Sequence, residues 1–154
     1  MLKYLYCALS LPAHLQSLLV ETDLKLIYAA DLPTLQNNDL LLIYDTQGLG
    51  LASLKNQKIY SRLIIDFNSA ECQHRKKYGQ LASSGLAKAI ANKISQPVSV
   101  LDATGGLGHD SFDLTCLGYT VTVCERSPVV YYMLLDALKR AHTEPQLVNF
   151  CSKI

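Results

Sequence analysis

Tryptophan is absent from this chain of 154 residues, methionine and phenylalanine number 2 and 3, and no two cysteines stand as Cys-x-x-Cys. The five cysteines (Cys7, Cys72, Cys116, Cys124, Cys151) are odd in number and scattered, which fits neither a disulfide framework nor a zinc site. Cys116 and Cys124 fall in apolar stretches and are expected as core thiols. No apolar run approaches the roughly 18 to 20 residues that span a bilayer. The start is a poor signal peptide, because Pro12 and His14 break the region where an apolar helix would continue. A large charge of one sign is also missing: the net charge is +1, which excludes a globally basic protein that coats nucleic acid. With 49% hydrophobic residues the chain is no disordered tail. These absences leave a soluble chain expected in the cytoplasm, without a membrane partner, and long enough for one ordinary domain or two small ones.

What charge there is lies unevenly. Residues 71–97 carry Arg75, Lys76, Lys77, Lys88 and Lys93 against Glu71, a net of +4 between two mildly acidic parts. Ahead of that patch, Lys3–Ala8, Leu24–Ala29, Leu40–Tyr44 and Leu63–Phe67 are strand-sized apolar runs. Leu15, Leu18 and Leu19 have helical spacing after Pro12, while Asn37–Asp39 and the Gly48–Gly50 region read as turns or loops. The expected organisation is a small N-terminal α/β domain over residues 1–68, a basic linker and helix over 69–97, and a second α/β unit over 98–154.

The second unit has the more regular pattern. Residues 80–94 carry an apolar stripe at Leu86, Ala89, Ile90 and Ile94 and stop before Pro97, as a helix does. Val98–Leu101 resembles a buried parallel strand, followed by a glycine turn and a helix near His109–Leu117 that ends at Gly118. Tyr119–Cys124 is a second strand. Ser127-Pro128 supplies a cap and a first-turn proline for a helix reaching about Ala141. Gln146–Phe150 is expected as a third strand. The order β-α-β-α-β is half of a doubly wound, Rossmann-like parallel sheet.

Chemistry concentrates in Leu101-Asp102-Ala103-Thr104-Gly105-Gly106-Leu107-Gly108-His109-Asp110. A strand, a glycine turn and a helix N-terminus together aim backbone N–H groups at a ligand, and Gly106 and Gly108 permit its close approach. Glu125, at the end of the next strand, is placed to accept hydrogen bonds from both hydroxyls of a ribose. A dinucleotide fingerprint needs a third glycine where Ser111 stands, and Asp102 would repel a pyrophosphate. Both residues argue against a nicotinamide cofactor. Asp102 suits a ligand with a cationic end, as S-adenosylmethionine (AdoMet) has in its amino group and sulfonium. A plainer reading of the same residues has Asp102 merely capping the turn and Glu125 merely exposed.

Two longer motifs add a resemblance. Asp102–Asp110 with Glu125-Arg126-Ser127-Pro128-Val129-Val130, and upstream Ile65-Asp66-Phe67 with His74-Arg75-Lys76-Lys77-Tyr78-Gly79, resemble the RsmJ family of bacterial 16S ribosomal RNA guanine-N2 methyltransferases. The resemblance covers about residues 60–150. It implies AdoMet as cofactor, with His109, Asp110, Glu125 and Arg126 joining Asp102, Gly106 and Gly108 around it and Cys151 and Ser152 near the adenine. It implies 16S ribosomal RNA or the small ribosomal subunit as partner, with His74, Arg75, Lys76 and Lys77 on phosphates. A solvated helix face or linker is the alternative for that run. The family's Asp-Pro-Met-aromatic-Pro segment, which positions the exocyclic nitrogen, has no match here, so no residue is assigned the catalytic step. On this reading the chain is C-terminally truncated, and its first sheet strand keeps a bare edge open to self-association. The rival functions are methylation of another substrate and a non-catalytic module that binds RNA or AdoMet.

Overall fold

The computed structural model describes residues 2–28, 35, 40–56, 58–78, 85–91 and 99–154. Its first half is a five-stranded sheet built from β1 (Tyr4–Cys7), β2 (Lys25–Ile27), β3 (Leu40–Asp45), β4 (Gly48–Lys55) and β5 (Lys58–Ile64), in the order β2-β1-β3-β4-β5. β1 runs parallel to both β2 and β3, and the helix α1 (Ala13–Glu21) makes the crossover from β1 to β2. β3, β4 and β5 continue as an antiparallel meander. The period-2 rule sorts β3 between two faces. Leu42 enters a core shared with Leu5, Leu15, Leu18 and Leu49, while Leu41 and Ile43 enter a second core with Ile27, Ala52 and Leu54.

Gly48–Gly50 was expected as a turn or loop and is instead the start of β4. The turn itself is Thr46-Gln47, held by Arg62, whose guanidinium donates to Asp45 Oδ2 at 2.7 Å and to the Gly48 carbonyl at 2.7 Å. Gly48 is needed for proximity as well as for its φ of +100°: a Cβ there would run into Arg140 and Asp136. The run expected over Leu63–Phe67 forms its strand earlier, as β5, and then turns at Asp66.

α2 (Ala70–Tyr78) and α3 (Gly85–Ala91) lead to a two-stranded parallel sheet of β6 (Ser99–Asp102) and β7 (Thr120–Val123), pairing Leu101 with Thr122. α4 (His109–Cys116) joins these strands and α5 (Pro128–His142) follows them, as the pattern predicted. Ser127 caps α5 by accepting from the Val130 N–H. The expected turn at 37–39, Ala29, Val98 and the ends of the helix expected over 80–94 lie outside the described residues.

Residues 146–150 were expected as a third strand, but Val148–Cys151 is a short helix, α6. The buried residues are Leu147 and Phe150, which lie three apart and share a helical face rather than alternating. The N–H of Cys151 donates to the Leu147 carbonyl at 2.9 Å, and that of Val121 on β7 reaches the Lys153 carbonyl at 2.7 Å. Cys124, expected as a core thiol, is exposed, and Cys116 is only half-buried. Leu101 on β6 is likewise 63% exposed, and among the described residues β6 pairs with β7 alone.

α5 joins the two halves. Tyr132, Met133 and Ala137 enter the same core as Leu5, Leu15 and Leu49, and the Tyr132 hydroxyl donates to Glu21 on α1 at 2.7 Å. Asp136, 2% exposed, accepts from the Leu49 N–H at 2.9 Å and from Arg140 Nε at 2.8 Å, with His14 Nε2 3.4 Å away. Arg140 also donates to the Ile65 carbonyl at 2.6 Å. A buried carboxylate held this way is costly to disturb, because its partners are stranded with it. Asp136→Ala should therefore lower unfolding stability by about 3 kcal/mol. A urea titration reads this as a fall in midpoint at unchanged slope; a midpoint equal to wild type would refute the role given to Asp136.

Candidate cofactor site

The site is assembled where β6 and β7 end. Cys124 N–H donates to the Asp102 carbonyl and Gly105 N–H to the Cys124 carbonyl, both at 2.8 Å, so the two strand ends stay in register past their last paired residues. The turn closes with Gly108 N–H on the Gly105 carbonyl at 2.8 Å, and α4 begins with Phe112 N–H on the Gly108 carbonyl at 2.9 Å. Gly106 and Gly108 have φ of +50° and +76°, angles that side-chain-bearing residues rarely adopt.

The glycines divide the labour differently from the sequence reading. Both were expected to allow close approach of a ligand and unusual backbone angles, and both have such angles. At Gly108, however, a Cβ would meet Leu134 Cδ2 at 2.8 Å and Phe67 Cζ at 2.9 Å, so this glycine makes room for protein. At Gly106 a Cβ would meet only the Thr104 carbonyl oxygen, at 3.7 Å, and this is the open position of the turn.

Asp102 holds the turn together: Oδ1 accepts from the Thr104 N–H at 3.1 Å and Oδ2 from the hydroxyl of Ser111. Its side chain thus does cap the turn. Glu125 is more than an exposed acid. Oε2 accepts from the Gly106 N–H at 2.8 Å and Oε1 from the Ser127 N–H at 2.7 Å, so one carboxylate spans the turns after both strands. Those two N–H groups, first Ser127 and then Gly106, hold its carboxyl below the ordinary glutamate range against the opposing effect of burial. Each oxygen retains a lone pair, which is the acceptor pattern that the two hydroxyls of a ribose require.

His109 and Asp110 are exposed in the first turn of α4, where the helix N-terminus favours a negative charge. Arg126 is exposed beside Glu125. An apolar cavity of about 340 Å³ opens beside Gly108, Ser111 and Glu125 and runs along Val121 and Val123 to Leu138 and Ile154. Of the residues expected at the site, Gly108 and Glu125 line this cavity, while Asp102, Gly106, His109, Asp110 and Arg126 lie outside its lining. Cys151 and Ser152 are not drawn into this group by their bonds. The Cys151 thiol donates to the Leu138 carbonyl at 3.6 Å, with burial pushing its pKa up, and the Ser152 hydroxyl donates to the Asn149 carbonyl at 3.0 Å.

The basic run lies on α2, and all four of its side chains have partners within the protein. Arg75 forms an ion pair with Asp113 on α4, and Lys76 donates to the Gln146 carbonyl at 3.0 Å. His74 and Lys77 are exposed on the same helix, each with contacts of its own. Sequence reasoning noted Ser111 only as a missing glycine and gave Phe67 no role at the turn; its sole signal was the Ile65-Asp66-Phe67 motif.

A family described as "Putative SAM-dependent methyltransferase" matches residues 25–154. The chain belongs to this family. It is 46% identical over 99 residues to the Ribosomal RNA small subunit methyltransferase J of Saccharophagus degradans, covering 64% of this chain and 36% of that protein. The protein of the same name from Pseudoalteromonas translucida is 38% identical over 129 residues, or 83% of this chain and 49% of the relative. A SAM-dependent methyltransferase of known structure from Neisseria gonorrhoeae superposes with a TM-score of 0.68 at 25% identity, covering 99% of this chain and 58% of that one. The chain thus spans less than half the length of these curated relatives.

The lowered pKa of Glu125 has a defined sign. Its bonds stabilise the fold fully above the unfolded glutamate value, and this is lost as pH falls through the lower folded value. The thermal midpoint of wild type should exceed that of Glu125→Gln at about pH 7, and the gap should close below about pH 4. A gap that stays constant across that range would show that the ionised carboxylate contributes nothing.

Proposed function

We propose that this chain carries the AdoMet-binding part of a methyltransferase for 16S ribosomal RNA, with the N2 amino group of a guanine as acceptor, working in the cytoplasm. The observation that carries the reading is Glu125, one carboxylate bonded across both strand-end turns with acceptor capacity to spare. Family membership and the names of the relatives supply the reaction class and the RNA. AdoMet, when bound, supplies an electrophilic methyl group on a sulfonium.

The chain's own residues do the holding. Glu125 takes the ribose hydroxyls, the Gly106 side of the turn lies against the ligand backbone, and His109, Asp110 and Arg126 border the site. Asp102 acts through the turn it caps, and its negative charge favours the cationic end of the ligand. Cys151 and Ser152, assigned to the adenine side by resemblance alone, are bonded to the Leu138 and Asn149 carbonyls and do not line the cavity. For RNA, Lys76 and Lys77 give phosphate contacts on α2, joined by His74, while Arg75 acts chiefly by fastening that helix to α4. No residue is assigned to the chemical step, so acceleration by this part rests on proximity and orientation.

Calorimetry with AdoMet tests the reading. Wild type should bind, and Glu125→Ala should weaken binding about tenfold or more, the worth of roughly one charge-assisted hydrogen bond or two. Absence of heat with wild type refutes a competent cofactor site. A Glu125→Ala variant of undiminished affinity refutes the ribose role.

The edge of β6 that is unpaired among the described residues, with the exposed Leu101, further supports self-association. Sedimentation should show a concentration-dependent dimer that Leu101→Lys dissolves. A monomer at every concentration tested would remove this part of the reading.

A further inference from the structure

Phe67 lies in the turn between β5 and α2, 2% exposed, and is one of three packed rings. It stacks on Phe112 of α4 with centroids 5.8 Å apart and planes 4° from parallel, and it meets Phe150 of α6 at 4.9 Å and 56°. Phe112 and Phe150 meet each other at 5.0 Å. Of the three rings Phe67 stands nearest Gly108: a Cβ there would find its Cζ at 2.9 Å and its Cε1 at 3.3 Å, with Leu134 Cδ2 at 2.8 Å.

Gly108 is the joint of the turn. Its N–H closes the turn on Gly105 and its carbonyl starts α4 through Phe112. Glycine enters left- and right-handed backbone regions with nearly equal ease, so its own chemistry does not keep it at φ +76°. Surrounding structure has to do so. Phe67 is also the wall between two spaces: the cavity reaching Glu125, and a second of about 330 Å³ between the end of β5, α2 and the turn residues Leu107 and His109. Without the ring, the turn would have open space where it now has a flat, rigid face.

We infer that Phe67 is a positioning residue for the cofactor turn: its ring clamps Gly108 and so holds the Gly106 N–H, Glu125 and the start of α4 in binding geometry. The inference rests on the cofactor reading given above. Phe112 and Phe150 belong to the same cluster with rings farther from the Gly108 Cβ position, and Phe112 meets Gly108 through its backbone N–H.

The test compares Phe67→Leu with Phe150→Leu, each at the same interval below its own thermal midpoint. Both should melt several degrees lower than wild type, because each removes part of a buried ring from the core. Amide exchange in the ligand-free protein separates them. The Gly106 and Gly108 amides should exchange about tenfold faster in Phe67→Leu than in Phe150→Leu, the signature of local opening beyond a shared loss of stability. AdoMet affinity should fall about tenfold in Phe67→Leu alone. Equal exchange at the turn in the two variants overturns the inference whether or not AdoMet binds, and so does an affinity loss of equal size in both. Failure of wild type to bind AdoMet overturns the cofactor reading instead, and the exchange comparison still decides the role of Phe67.

Discussion

The carboxylate of Asp136 sits in the core and has to be paired there. Its partners fix more than its own charge. The Leu49 N–H belongs to the start of β4, Arg140 belongs to α5, and Arg140 reaches on to the Ile65 carbonyl just after β5. Asp136 and Arg140 together therefore tie α5 to β4 and to the residue just past β5. Stripping any partner away leaves a charge or an N–H without water, which is why such a cluster tolerates few other arrangements. Gly48 shows how tight the fit is, since any side chain at that position would displace Asp136 and Arg140.

That anchoring reaches the cofactor turn along the helix. α5 begins at Pro128, three residues past Glu125, and Leu134, two residues before Asp136, touches the space over Gly108. The same helix thus fixes one wall of the turn and, through Ser127, one of the two N–H groups on Glu125. The opposite wall is Phe67, placed by the end of β5 beside the carbonyl that Arg140 holds. The N-terminal sheet, which contributes none of the residues around Glu125, in this way supplies the frame against which the turn is pressed. α2 is drawn into the frame by the Arg75–Asp113 pair, whose Asp113 Oδ1 is buried without a hydrogen-bond partner.

How much of this the sequence discloses depends on the range of the forces involved. β6, α4, β7 and α5 were legible because local signals agree there: an apolar run, glycines at a turn, and Ser127-Pro128 opening a helix. The position of Glu125 at the end of β7 was legible from the same pattern, whereas its bonds to the Gly106 and Ser127 N–H groups and the Ser111–Asp102 bond were not. Gly48 misled because glycine marks close approach as well as turns, and the approaching residues lie nearly ninety positions away. α6 misled because Gln146–Phe150 is too short for its period to be told from a strand, and burial of Leu147 and Phe150 decided it. Arg75 and Lys76 were read as a basic run because nothing local shows that Asp113 and the Gln146 carbonyl lie opposite.

Ser111 shows why a departure from a motif can carry information of its own. A third glycine in a nucleotide-binding turn serves close packing of helix on strand. Here that packing is met elsewhere: a Cβ at Gly105 would strike Val123 Cγ1, and one at Gly108 would strike Leu134 and Phe67. Position 111 is thereby free to hold a hydroxyl, 1% exposed, and the hydroxyl is spent on Asp102. The bond keeps that carboxylate folded over its own turn, bonded to Thr104 as well. A pyrophosphate laid on the same N–H groups would face that fixed negative charge at short range, whereas a cationic ligand is attracted by it. The glycine that is missing and the acid that is present are thus two sides of one local arrangement, and on the proposed reading they together favour a sulfonium over a dinucleotide.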